Sequence, residues 1–122
     1  MGKKILIVDD SRTIRQQVSI TLEKGGYQVV EAEDGRQGIA RLAEHGDIAM
    51  VVSDVNMPNM TGLEMVEAIK AAGKYAHIPI VILTTEGAAE MMERAKNAGA
   101  RGWLVKPFRP DQLVAVVAKL TS

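Results

Sequence analysis

The chain has 122 residues, 47% hydrophobic and 25% charged, which is enough to bury one sizeable core and too few for a second folding unit. Fifteen Lys and Arg balance fifteen Asp and Glu, with no basic stripe, which argues against direct nucleic-acid binding; the absence of cysteine excludes disulfides, thiolate metal sites and cysteine nucleophiles. The start Met1-Gly2-Lys3-Lys4 leads into a four-residue apolar run, far shorter than a secretory core, and no later run approaches a membrane span, so the expected setting is cytoplasmic with no membrane partner.

Taken in chain order, apolar runs rich in β-branched residues fall at Ile5 to Val8, Val29 and Val30, Met50 to Val52, Ile78 to Leu83, and Trp103 to Val105. Stretches of helical periodicity separate them. Ile14, Val18 and Leu22 share one face of a first helix, which Gly25 is expected to end as a left-handed residue. Asp34 is placed to cap a second helix carrying Ile39 and Leu42 and stopping near Gly46. Thr61 and Glu64 form a capping-box pattern for a third, stopping at Gly73. A fourth runs from about Ala88 to Ala98 before Gly99, and a fifth opens at Pro110, whose fixed φ and missing N–H suit a first helical position, and buries Leu113, Val116, Val117 and Leu120. Alternating strands and helices, with strands that lack polar alternation, predict a doubly wound α/β fold around a five-stranded parallel sheet with five helices. Nothing in the pattern marks an internal boundary, so residues 1–122 are expected to form one domain with no output domain.

In such a sheet, ligands gather beyond the carboxyl ends of the strands. The residues that follow the apolar runs there are Asp9 and Asp10, Ser53 and Asp54, Thr84 and Thr85, and Lys106 with Pro107. Two carboxylates about 5 Å apart repel by roughly 3 kcal/mol at an effective dielectric near 20, so three of them call for cations. Lys106 supplies one charge. A hard divalent ion held by oxygen ligands, Mg²⁺ first, is the natural second. A carboxylate is a competent nucleophile toward phosphorus, and phosphoryl transfer needs chiefly in-line positioning and neutralised equatorial oxygens. Each piece also has a plainer reading: Asp9-Asp10-Ser11 as a helix cap, Asp54 as a strand end turning into a loop, Thr84 as an ordinary strand-end threonine, Lys106 as a surface lysine. Their joint placement at strand ends favours the site.

These residues, Val8-Asp9-Asp10-Ser11, Asp54-Val55-Asn56-Met57-Pro58, Thr84-Thr85-Glu86 and Lys106-Pro107-Phe108, resemble the receiver domains of two-component response regulators across essentially the whole chain. The resemblance implies the flavodoxin-like strand order 2-1-3-4-5. It further implies Mg²⁺-dependent transfer, with Mn²⁺ able to substitute, from a phosphohistidine on a sensor histidine kinase to Asp54. Asp10 would bind the metal directly and Asp9 mainly through water, with Asp54 and the main-chain carbonyl of Asn56 completing the protein ligands. Thr84 and Lys106 would hold the phosphoryl oxygens, Asn56 and Glu86 would tune dephosphorylation, and the Lys106-Pro107 bond would be cis. Trp103 stands where the family carries an aromatic switch with Thr84, so two readings stand for it, the switch and a core aromatic packed inward. The implied readout surface is the fourth helix, fifth strand and fifth helix, presented to a downstream protein target, and a phosphatase is a further implied partner. On the fourth helix, Ala88, Ala89, Met91, Met92, Ala95 and Ala98 divide between core and adaptable partner surface.

Within the family, Thr84-Thr85-Glu86 and Gly102-Trp103-Leu104-Val105-Lys106-Pro107-Phe108 look most like the chemotaxis-type single-domain regulators, signalling switches rather than enzymes. Two alternatives remain: a phosphorelay intermediate that passes the phosphoryl group on to a histidine phosphotransfer protein, and an aspartyl-phosphate hydrolase. The second lacks its usual acid two residues after the nucleophile, where Asn56 stands. His45 and His77 are expected at exposed loop or helix-end positions.

Overall fold

The computed structural model describes residues 2–55, 61–73, 75, 77–84, 89–106 and 108–121, without the side chains of 89–92. Its elements alternate as the periodicity predicts: β1 (Lys4–Val8), α1 (Arg12–Lys24), β2 (Gln28–Ala32), α2 (Gly35–Glu44), β3 (Ile48–Asp54), α3 (Gly62–Ala72), β4 (Ile80–Thr84), α4 (Ala89–Ala98), β5 (Gly102–Val105) and α5 (Pro110–Thr121). The strands form one parallel sheet in the order β2-β1-β3-β4-β5.

Two apolar layers hold it. On one face Leu6, Val8, Val51, Ile80 and Ile82 meet Leu42 of α2, Met65, Val66 and Ile69 of α3, and Ala95 of α4. On the other, Ile5, Ile7, Met50, Val52, Val81 and Leu83 meet Val18 and Leu22 of α1 and Leu113 and Val117 of α5. Neighbouring residues of each central strand therefore serve opposite layers, which is why β1, β3 and β4 show apolar runs instead of alternation. The edge strands differ: β2 and β5 are only partly covered, and β5 alternates between half-buried Gly102 and Leu104 and exposed Trp103 and Val105.

The helix ends follow their local chemistry, with one displacement. Asp34 caps α2 by accepting from the Gln37 N–H, and Thr61 and Glu64 form the reciprocal capping box of α3. The expectation for Gly25 is off by one. Gly25 has φ −82°, and Gly26, at φ 93°, is the left-handed residue. The N–H of Gly26 donates to Glu23 O and that of Tyr27 to Leu22 O, the two bonds of a Schellman turn, so α1 completes one more residue before it reverses. The expected fourth-helix start at Ala88 lies outside the described residues. Among the described residues, no helix is long and apolar enough to cross a membrane.

Candidate functional site

Strand register assembles the site. Val8 of β1 lies beside Ser53 of β3, so Asp9, one residue on, reaches the level of Asp54. Asp54 in turn pairs with Leu83 and Thr84 with Val105, which brings Thr84 and Lys106 to the same rim. The Lys106 N–H donates to Thr84 O at 2.7 Å, tying the ends of β4 and β5 together.

At this rim Lys106 Nζ stands 3.1 Å from Asp9 Oδ2 and 3.3 Å from Asp54 Oδ1. Asp9 is wholly buried, Asp54 and Lys106 are mostly buried, and Asp10 is exposed at the mouth. Asp9, Asp10 and Asp54 each bring one carboxylate oxygen within 4.8 Å of the others. Asp9 Oδ1 also accepts from the Ser11 N–H at 2.8 Å, and Asp54 Oδ1 from the Val55 N–H at 2.9 Å. The capping reading of Asp9-Asp10-Ser11 thus belongs to Ser11 alone, whose hydroxyl accepts from the Ile14 N–H. Asp9 turns to the site instead.

One ammonium does not balance this cluster. Burial and the neighbouring Asp9 carboxylate push the Asp54 carboxyl up from its ordinary value, against the pull of Lys106 and the Val55 N–H. The surplus negative charge is the physical fit for a cation. A donor set of hard carboxylate oxygens, one at the solvent mouth, suits Mg²⁺ or Mn²⁺ and would leave room for waters.

Thr84 is buried at the end of β4. Trp103 is 37% exposed, so the reading of it as an aromatic packed inward is not what the structure places there. It sits on an edge strand, on the face opposite Leu104. Asn56, Glu86 and Pro107 lie outside the described residues, and with them the expected metal-ligating carbonyl, the expected tuning positions and the expected cis bond. So do Thr85 and Ala88 and the side chains of Ala89, Met91 and Met92; of the remaining small residues on α4, Ala95 is core and Ala98 packs against it. His45 is the half-buried C-cap residue of α2, and His77 is exposed.

Two residues at the site escaped the sequence reading. Gly62 opens α3 directly beneath Asp54: its N–H donates to Val55 O at 2.8 Å, and a Cβ there would lie 2.1 Å from the main-chain oxygen of Asp54. Its only sequence signal was a poor helix former in the first turn after a good cap. Arg15 lies on the buried side of α1 with Val18 and Leu22, and its guanidinium donates to Asp9 O at 2.7 Å and to Glu31 Oε1 at 3.1 Å. An arginine within that apolar stripe was the available signal, since a buried cation needs partners.

Comparison with known proteins agrees with this geometry. A family model described as the response regulator receiver domain matches residues 5–118. The chemotaxis protein CheY1 of Helicobacter pylori is 40% identical over 111 residues, covering 90% of each chain. The chemotaxis protein CheY homolog of Campylobacter jejuni is likewise 40% identical, over 90% of this chain and 85% of its own. Among solved structures, chemotaxis protein CheY4 of Vibrio cholerae superposes with a TM-score of 0.92 at 44% identity, over 98% of this chain and 99% of that one.

Proposed function

The chain belongs to the response regulator receiver family, and from that premise we propose that it is a single-domain chemotaxis switch, residues 1–122, phosphorylated on Asp54 by a sensor histidine kinase. The observation that carries this reading is the meeting of Asp9, Asp10 and Asp54 with Lys106 at one rim of the sheet. The mutual coverage with the chemotaxis relatives, nine-tenths or nearly so in both directions, supports the chemotaxis assignment.

Asp10 and Asp54, with the carbonyl of Asn56, would hold the divalent ion directly, and Asp9 mainly through water. Bound there, the ion supplies neutralisation of the carboxylates and of the equatorial phosphoryl oxygens. An Asp54 oxygen attacks the phosphorus of a phosphohistidine in line; the P–O bond forms as the P–N bond breaks, and the imidazole nitrogen leaves with that electron pair. Lys106, already within reach of Asp54, pairs with a phosphoryl oxygen, and the Thr84 hydroxyl donates to another. Asn56 and Glu86 set how fast water removes the group.

Readout follows from differential stability, because phosphorylation shifts a two-state element only by its unequal fit to the two states. Thr84 ends β4 and Lys106 directly follows β5, the neighbouring strand that carries Trp103, so a phosphoryl group that draws them inward biases the α4, β5 and α5 face. There Trp103 and Val105 stand 37% and 42% exposed for a downstream protein target. A phosphatase would act at the same rim, and the setting is cytoplasmic.

Phosphotransfer from autophosphorylated histidine kinases with Mg²⁺ tests the reading. Wild type should be labelled and Asp54→Ala should not; label on the variant would refute the acceptor assignment. Onward transfer to a histidine phosphotransfer protein would mark a relay intermediate, and sustained turnover of phosphate esters a hydrolase.

A further inference from the structure

We infer that Arg15, outside the ligand set itself, is the positioning residue that sets the metal affinity of the site. The inference rests on the reading of Asp9, Asp10 and Asp54 as a divalent-ion seat. Asp9 is held at every polar atom it has. Its N–H donates to Ala32 O at 3.1 Å, Oδ1 accepts from the Ser11 N–H, Oδ2 accepts from Lys106 Nζ, and its main-chain oxygen accepts from Arg15 Nη1 at 2.7 Å. The last bond is buried, and the arginine side chain is only 11% exposed. Glu31, on the edge strand β2, takes the Nε edge of the same guanidinium and fixes its plane.

The carbonyl that Arg15 holds belongs to the Asp9-Asp10 peptide. The orientation of that peptide decides where the Asp10 carboxylate points, because Asp10 is exposed and follows the peptide directly. Without the arginine, a buried carbonyl loses its donor and the peptide gains by tilting toward solvent, taking Asp10 out of register with Asp54. Groups that orient metal ligands from one shell out commonly change metal affinity about 10- to 100-fold when removed.

Charge and position predict opposite signs here, which makes the inference sharp. A guanidinium beside a cation seat repels the ion, so neutralising it would tighten Mg²⁺ binding if only its field mattered. Positioning predicts weaker binding on the same substitution.

The test is calorimetric titration of the full chain with MgCl₂, alongside urea unfolding, for wild type, Arg15→Met and Arg15→Lys. Arg15→Met should weaken Mg²⁺ binding about tenfold or more. Arg15→Lys, which keeps the charge but cannot span both partners with a planar fork, should fall between Met and wild type. Mg²⁺ affinity unchanged or tighter in folded Arg15→Met would overturn the inference, whatever happens to its urea midpoint. Should the methionine variant not fold, wild-type affinity in Arg15→Lys would overturn it equally. A wild-type chain with no saturable Mg²⁺ signal would instead sink the metal reading, and the inference with it.

Discussion

The two ends of the sheet carry ion pairs of the same length and opposite consequence. At the amino ends, Lys4 and Asp47 stand 3.1 Å apart; at the carboxyl ends, Lys106 and Asp9 do the same. The Asp47 side chain is 69% exposed and has a lysine to itself, whereas the Asp9 side chain is 1% exposed and shares its lysine with Asp54. Hydrogen bonding from Lys4 holds the Asp47 carboxyl below its ordinary value. Burial and Asp9 push Asp54 above its own. Distance alone therefore says little about an ion pair. What differs is the number of anions per cation and the water left to screen them. The amino end is balanced and structural; the carboxyl end keeps a surplus of negative charge that chemistry can use.

The largest expected effect comes from making one substitution at both ends. Gly62→Ala forces a Cβ to within 2.1 Å of the Asp54 main-chain oxygen, a contact with backbone that no rotamer relieves, and should cost roughly 3 kcal/mol in urea unfolding. Gly46→Ala, in the turn before β3, meets nothing within 4 Å and has no left-handed φ to lose; it should gain roughly 0.5 kcal/mol. Equal losses at both positions would mean the rim is no tighter than the opposite turn.

Next in size is ligand linkage at the charged rim. Mg²⁺ at a hundredfold excess over its Kd should stabilise the folded chain by about 2.7 kcal/mol. Asp54→Asn should lose most of that gain, and Asp47→Asn should keep all of it. Thermal melts with and without MgCl₂ decide the matter, and a retained gain in Asp54→Asn would remove Asp54 from the ion's surroundings.

The pH dependences separate the two ends by sign. Folded Asp54 holds its proton more tightly than the unfolded chain does, so stability falls as pH rises from the ordinary aspartate range through its raised value. Asp54→Asn, in metal-free buffer, should accordingly be more stable than wild type at neutral pH and lose that advantage in acid. Asp47 runs the other way: its contribution is present above its ordinary value and lost as pH falls through the lowered one. Asp47→Asn should be slightly less stable at neutral pH, the smallest effect of the set, because both its charges reach water. Denaturation midpoints from pH 3 to 8 check both, and two variants shifting in the same direction would break the contrast.

Much of this was legible before any coordinates. Apolar runs interrupted by helical periodicity located every strand and helix, because burial on two faces and burial on one stripe leave different spacings. The residues just after those runs, Asp9, Asp54, Thr84 and Lys106, were legible for the same reason, since strand ends in a parallel sheet share one rim. The turn after α1 was misplaced by one residue, from Gly25 to Gly26, since two adjacent glycines carry identical propensities and only the Schellman bonds to Leu22 and Glu23 choose between them.

Sequence by itself thus determined the alternation of strands and helices, the acidic rim and its lysine, all features written in local spacing and side-chain type, while the strand order was implied by the family resemblance. Tertiary structure alone decided three others. It turned Trp103 outward, because exposure on β5 depends on its being an edge strand and not on its neighbours in the chain. It brought Gly62 against the Asp54 backbone and Arg15 against the Asp9 carbonyl, contacts that register and helix packing create. It also raised Asp54 above an ordinary aspartate, for a pKa answers to burial and to neighbours brought together by folding, and the chain order that separates Asp9, Asp54 and Lys106 is silent on both.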